Sequence, residues 1–337
     1  MPGLTAPAHP SKLKWSRGRV FGEQVSRMIL GIDLGGTNLR GVLSDEDGNF
    51  LATFCVKAEF SSREALLRQM VTEALSLCKS CGVGLSDITG VGVASTGPLD
   101  MERGRLFHPT NIPFSEVSIV GPLKKRLGLP VYLINDCNAA ALGEKMFGAG
   151  KRHDNLVYVT IGTGIGAGAI VDGHLLLGKD GNAAEVGHFV VDPNGRLMCG
   201  CGKRGHWEAY CSGKNIPNYV SLRAQESGVP FEKMDTPEIF RAAETGDKFL
   251  RGLIDEIGRF NAIGVADIVN AYDPSLVTMG GSVVLRDEEL VVDPVVKGVK
   301  EFTRNRIPRI RVTPLGENVG LYGAVATVLM HEEIFGK

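Results

Sequence analysis

Residues 28–44 read MILGIDLGGTNLRGVLS: an apolar run ending at Asp33, a glycine turn at Gly35–Gly36, and a second apolar run over Leu39–Ser44. Asp47–Gly48 then marks a hairpin turn and Phe50–Val56 a third strand. Downstream, apolar residues at Leu66, Leu67, Met70, Ala74 and Leu75 predict a helix over Arg63–Lys79. Ile88–Val93 has the composition of a buried strand, and Ser115–Leu127 that of a short helix. Val131–Ile134 is a further strand, running into Asn135–Asp136 and a helix over Ala139–Phe147. The plan then restarts. Asn155–Ile161 is a strand, Gly162–Gly168 a glycine turn, Ala169–Val171 a strand and Asp172–Gly173 a hairpin turn. Two appearances of strand, glycine turn and strand predict two similar α/β halves joined by a hinge, since nothing between them has linker composition.

The bulk composition is compatible with this plan. The chain has 337 residues, room for two domains, with 43% hydrophobic and 22% charged residues. A net charge of −1 gives no field suited to nucleic acid or an anionic membrane, and no apolar run approaches the roughly 18 residues of a spanning helix. Seven cysteines are too few and too scattered for a disulfide framework, which favours reduced thiols or a metal site and a cytoplasmic address. Residues 1–27 combine prolines with Lys12, Lys14, Arg17, Arg19 and Arg27 and lack an apolar period; they read as a disordered extension that the fold does without.

Four constellations carry chemistry. In Asp33-Leu34-Gly35-Gly36-Thr37-Asn38 the glycines let backbone amides approach phosphate oxygens, Thr37 adds a hydroxyl, and Asp33 is placed to hold magnesium. Gly162-Thr163-Gly164-Ile165-Gly166 repeats the arrangement, so the two turns form jaws for one polyphosphate. A strand rather than a helix follows each turn, which separates them from the dinucleotide fingerprint. Asn135-Asp136-Cys137-Asn138 sits at a strand-to-helix junction, where Asp136 is either a general base for an attacking hydroxyl or a helix cap. Last, Glu185-Val186-Gly187-His188 precedes Cys199, Cys201 and His206; with His188 these are four ligands suited to a closed tetrahedral zinc, and Cys211 is a spare. Cys78 and Cys81 read as helical cysteines before they read as a redox pair.

Together with Gly97-Pro98-Leu99-Asp100 and Glu208, these motifs resemble, in order, the repressor/open-reading-frame/kinase (ROK) family of sugar kinases and sugar-responsive repressors, from Met28 to the C-terminus. The resemblance implies an actin-like ATPase (ribonuclease H-like) fold: two α/β domains around a cleft. It divides the chain into a small domain over 28–138 plus 321–337 and a larger one over 139–320 that holds the zinc loop. It makes Asp136 the general base and assigns the sugar to Asn111, Asn135, Asp136, Glu185, His188 and Glu208. The ATP phosphates fall to Asp33, Gly35, Gly36, Thr37 and Asn38 and to Gly162, Thr163 and Gly164, with Gly280 and Gly281 beside the adenosine. Magnesium with ATP and a structural zinc are the implied ions, and a homo-oligomer (dimer or tetramer) the implied state. One departure is that His206 stands where the family has a third cysteine.

A repressor of this family needs a DNA-binding module of on the order of 60 residues ahead of the first strand, and 27 residues without helical period do not supply one. The expected function is therefore a hexose kinase acting on glucose. N-acetylmannosamine, or a broader range including fructose, is the alternative.

Overall fold

The computed structural model describes residues 27–109 and 111–336. The expectations for residues 1–26 lie outside these. The chain opens with strands β1 (Met28–Leu34), β2 (Asn38–Asp45) and β3 (Phe50–Lys57), followed by helix α1 (Arg63–Ser80) and strand β4 (Ile88–Ser95). A small antiparallel sheet of β5 (Leu99–Asp100), β6 (Arg105–Phe107) and β7 (Glu116–Ser118) leads to α2 (Val120–Leu127), β8 (Val131–Asn135) and α3 (Asp136–Met146). The main sheet has the order β3-β2-β1-β4-β8, antiparallel through the first three strands and parallel from β1 onward. Central β1 and β4 are apolar on both faces because helices cover both. By contrast β3, at the edge, alternates between exposed and half-buried positions. The Ser62 side chain caps α1 by accepting from Ala65 N–H at 3.0 Å. Leu66, Leu67, Met70, Ala74 and Leu77 then bury one face of that helix, while Leu75 turns outward.

The second half repeats the order. Strands β9 (Leu156–Ile161), β10 (Ile165–Val171), β11 (His174–Leu175), β12 (Leu276–Gly280) and β13 (Arg309–Val312) form a sheet β11-β10-β9-β12-β13. Its first hairpin is antiparallel, and β9, β12 and β13 run parallel. Between β11 and β12 come α4 (Glu208–Cys211), α5 (Ile216–Ser227), α6 (Thr236–Glu244) and the long α7 (Lys248–Tyr272). Then α8 (Ser282–Arg286) and α9 (Glu288–Gly298) follow β12, and α10 (Val319–Leu329) and α11 (His331–Phe335) follow β13. Among the described residues no helix is long and apolar enough to cross a membrane, and the seven cysteines are free.

Two helices lie between the sheets. The apolar side of α3 packs with Ala94 and Ile134 of the first sheet and with Leu156, Tyr158 and Ile170 of the second. Helix α10 returns from the C-terminus to cover β1 and β4, with Leu321 and Val325 against Ile29 and Val42. The two helices meet at backbone distance: a Cβ on Gly323 would lie 2.2 Å from Ala139 C, and one on Gly143 2.9 Å from Gly323 N.

Three local expectations need correction. The glycine turn of the second half is confined to residues 162–164, and Gly166 and Gly168 belong to β10. Those glycines serve close packing rather than turning, since a Cβ on Gly166 would meet Cys137 Sγ at 2.6 Å and one on Gly168 would meet Cys137 O at 2.3 Å. The helix expected over Ser115–Leu127 divides into β7 and α2, because β-branched Val117 pairs with Leu106 of β6. Pro122 then sits in the first turn of α2, where its missing N–H is not needed. Finally, α3 begins at Asp136, not Ala139, which changes the role of the residue before it.

Candidate active site

The carboxyl ends of β1, β4 and β8 form one row, with Leu34 beside Ser95 and Ser95 beside Asn135. Across that row Ser95 Oγ donates to Leu34 O at 3.3 Å. Asp33, Asn135 and Asp136 thus emerge on the edge where open α/β sheets place ligands. The cap of α3 is Asn135, whose Oδ1 accepts from Cys137 N–H at 2.9 Å and Asn138 N–H at 3.2 Å. Asp136 is therefore free of the capping role and stands as the first helical residue, its Oδ1 accepting from Cys137 N–H at 2.8 Å. Burial raises its proton affinity above that of an ordinary carboxylate, against the pull of those hydrogen bonds. That suits a group meant to take a proton.

Asp33 is also raised, to about 6, first by burial and then by the charge of Asp136, with the Arg40 guanidinium acting the other way. Arg40 is the cross-strand partner of Asp33 in the β1–β2 hairpin and approaches its Oδ2 to 3.8 Å. It also donates to Glu317 O at 2.6 Å and to Asn318 Oδ1 at 2.7 Å, tying the hairpin to the entrance of α10. At that entrance a Cβ on Gly320 would lie 2.9 Å from Asp33 Oδ2. The turn itself closes through Gly35 N–H to Asn38 O at 3.0 Å, leaving Thr37 and Asn38 exposed. Asn111 abuts it so closely that a Cβ on Gly36 would meet Asn111 Cβ at 2.6 Å.

The second turn is held from three sides. Gly162 O accepts from Gly213 N–H at 2.7 Å. A Cβ on Gly162 would touch Ser282 N at 3.6 Å, so Gly280, Gly281 and Ser282 at the end of β12 lie alongside. Gly281 has φ +90°, and its Cβ position would fall 2.5 Å from Ile161 O, so a side chain there is excluded. On the third side the Glu208 carboxylate accepts from Ile165 N–H at 3.0 Å. Glu185 joins the same charged region: burial raises its proton affinity first, His188 lowers it, and the charges of Asp136 and Glu208 raise it again. His188 Nε2 lies 4.0 Å from Glu185 Oε2.

His188, Cys199, Cys201 and His206 bring one ligand atom each within 4.8 Å of one another. The loop carrying them is folded by its own backbone, with Cys199 N–H to Lys203 O at 2.8 Å and Gly202 N–H to Cys199 O at 2.9 Å. Cys199 Sγ lies 3.9 Å from His188 Nδ1, and Cys201 Sγ 3.3 Å from His206 Nδ1. Ligand bonds of about 2.0–2.3 Å need ligand separations of roughly 3.3–3.8 Å, so this set fits a tetrahedral zinc once its widest separations close by up to about 1 Å. With His188 Nδ1 toward the sulfurs, Nε2 remains on the Glu185 side. Cys211 is not a ligand: its thiol is buried 3.7 Å from Ile257 O of α7, outside the group.

The edge therefore gathers Asp33, Asn135, Asp136, Glu185, His188 and Glu208, with one glycine turn on each sheet. Asp100 stays apart, its carboxylate accepting from Arg103 N–H at 3.0 Å and Arg105 Nε–H at 2.9 Å in its own hairpin. Sequence reading overlooked Arg40 and the 317–320 segment. The first was recoverable, because a turn closing Gly35 on Asn38 makes Arg40 the partner of Asp33. The second is distant in sequence and carries no motif of its own.

The ROK family model matches residues 29–331, from β1 into α11. A glucokinase of Pyrobaculum calidifontis is 37% identical over 309 residues, covering 91% of this chain and 97% of that protein. A ROK hexokinase from Thermus thermophilus superposes with a TM-score of 0.79 at 31% identity, covering 90% of this chain and 98% of that one. A ROK family glucokinase from Streptomyces griseus, solved in complex with glucose and AMPPNP, superposes with a TM-score of 0.73 at 33% identity, covering 88% and 98%.

Proposed function

Since this chain belongs to the ROK family, we propose that it transfers the γ-phosphate of ATP to the 6-hydroxyl of glucose. It is an ATP-dependent sugar kinase with the actin-like ATPase fold. The observation that carries the reading is Asp136, a half-buried carboxylate with raised proton affinity, released from capping by Asn135 and close enough to Asp33 and Glu185 for its charge to act on both.

In this reading the two sheets correspond to a small domain over 28–138 plus 321–337 and a larger one over 139–320, with the sugar between them. Asn111, Asn135, Glu185, His188 and Glu208 hold the sugar hydroxyls. Asp136 accepts the 6-hydroxyl proton as that oxygen attacks the γ-phosphorus; the new O–P bond forms while the bond to the β-phosphate oxygen breaks and ADP leaves. Gly35, Gly36, Thr37, Asn38, Gly162, Thr163 and Gly164 present amides and hydroxyls to the phosphates, with Gly280 and Gly281 beside the adenosine. Magnesium bound with ATP would neutralise phosphate charge, and Asp33 is the carboxylate that would hold it. His188, Cys199, Cys201 and His206 would hold a zinc ion with four protein ligands, a structural rather than a water-activating set, which would brace the loop that carries Glu208 and fix the His188 ring.

The test is a coupled ADP-release assay over a panel of sugars with identification of the product. Glucose should give the highest kcat/KM, with glucose 6-phosphate as product. Preference for N-acetylmannosamine or fructose would overturn the glucose assignment, and no sugar-dependent ADP release would overturn the kinase assignment with it.

A further inference from the structure

Glu208 reaches both halves of the reaction. It opens the short helix α4, beside Trp207, which is fully buried and donates from Nε1 to Asn261 Oδ1 of α7 at 2.8 Å. Its own backbone oxygen accepts from Asn215 Nδ2 at 3.1 Å. From this rigid mount one carboxylate oxygen, Oε1, lies 3.5 Å from Cys199 Sγ, on the sugar and metal side. The other, Oε2, accepts from Ile165 N–H at 3.0 Å, and a Cβ on Gly164 would fall 2.5 Å from it. The phosphate turn and the sugar carboxylate are thus in contact, and Gly164 is small at the point where they touch.

We infer that Glu208 is a positioning residue for the nucleotide as well as a sugar ligand, and that sugar and ATP occupancy are coupled through its bond to Ile165 N–H. The inference rests on the kinase reading above. The 3.0 Å bond from Ile165 N–H to Oε2 ties the end of the turn to this side chain, so it fixes where the 162–165 amides point. A sugar hydroxyl on Oε1 locks the carboxylate and hence the turn; a phosphate on the turn locks the carboxylate and hence the sugar pocket. Linkage requires the two effects to be equal.

The experiment measures AMPPNP binding without sugar, and glucose binding without nucleotide, by calorimetry on the metal-loaded full chain. Glu208→Ala should weaken AMPPNP binding without sugar by about tenfold, the effect of losing one such bond. A residue that acted on the sugar alone would leave this value unmoved. Glu208→Gln keeps an acceptor oxygen for Ile165 N–H and should return AMPPNP affinity to within about threefold of the parent protein while glucose stays weakly bound. Gly164→Ala pushes on the carboxylate from the other side and should weaken glucose binding without nucleotide by about five- to tenfold. In the parent protein glucose should tighten AMPPNP binding, and in Glu208→Ala that gain should vanish. An unchanged AMPPNP affinity in a folded Glu208→Ala, or, should that variant not fold, an unchanged glucose affinity in Gly164→Ala, overturns the inference and leaves the kinase reading standing. Absence of AMPPNP binding by the parent protein overturns both.

Discussion

Asp33 shows what a desolvated carboxylate costs the fold. Its ordinary value of 3.8 is raised to about 6, chiefly by burial. In the unfolded chain the carboxyl ionises near 3.8, so between 3.8 and 6 the folded protein holds the proton more tightly. Stability contributed by this group therefore falls as pH rises through that window, and the loss is complete above about 6. A shift of this size corresponds to up to about 3 kcal/mol. Asp33→Asn should stabilise the metal-free protein by up to that amount at pH 7.5, and the advantage should shrink toward pH 4, while activity is lost. Urea unfolding of both proteins across pH checks this; an advantage that grows toward acid pH would contradict it. At this scale the sequence was legible in local geometry, as with the glycine turn that follows Asp33. It was ambiguous where two neighbours compete for one role, as with Asn135 and Asp136. Hydrogen-bond geometry settles the competition by giving the cap to Asn135.

Elements were legible where their periodicity is one-sided, as in α1, and misread where glycine has two uses. Gly166 and Gly168 suggested a longer turn, but they make room for α3 against β10. Helix α10 has apolar residues on all sides, because it is buried between α3 and the first sheet, and so it offers no amphipathic signal. Its crossing with α3 should tolerate no added atom: Gly323→Ala places a methyl 2.2 Å from Ala139 C, a backbone atom without a rotamer to yield. The expected loss is about 1–3 kcal/mol or more, seen as a lower Tm. Gly252→Ala, in α7 with open space around its Cβ position, should instead gain about 0.5–1 kcal/mol. Equal effects of the two substitutions would refute the packing account. The Cys/His loop makes a separate prediction. Chelation should remove about one zinc per chain and raise the KM for glucose far more than that for ATP, with the body still folded, since most of its core lies away from the loop. A metal-free enzyme with an unchanged KM for glucose would rule out a bracing role.

At the scale of the whole molecule the repeated strand, glycine turn and strand was the most informative feature, and the two sheets carry it into three dimensions with matching strand orders. What the repeat did not contain is how the halves face each other. That depends on α3 and α10, on glycines whose role is to be small, and on contacts such as Arg40 to Asn318 that span most of the chain. The outcome is one edge at which Asp33, Asp136 and the two glycine turns converge, and the proposed account stands or falls on Asp136 as its base. The most direct measurement is turnover and glucose binding of Asp136→Asn side by side with the parent enzyme. The account predicts a kcat lowered by roughly 10²–10⁴-fold, with glucose affinity and Tm little changed. A variant that turns over at near the parent rate would contradict it.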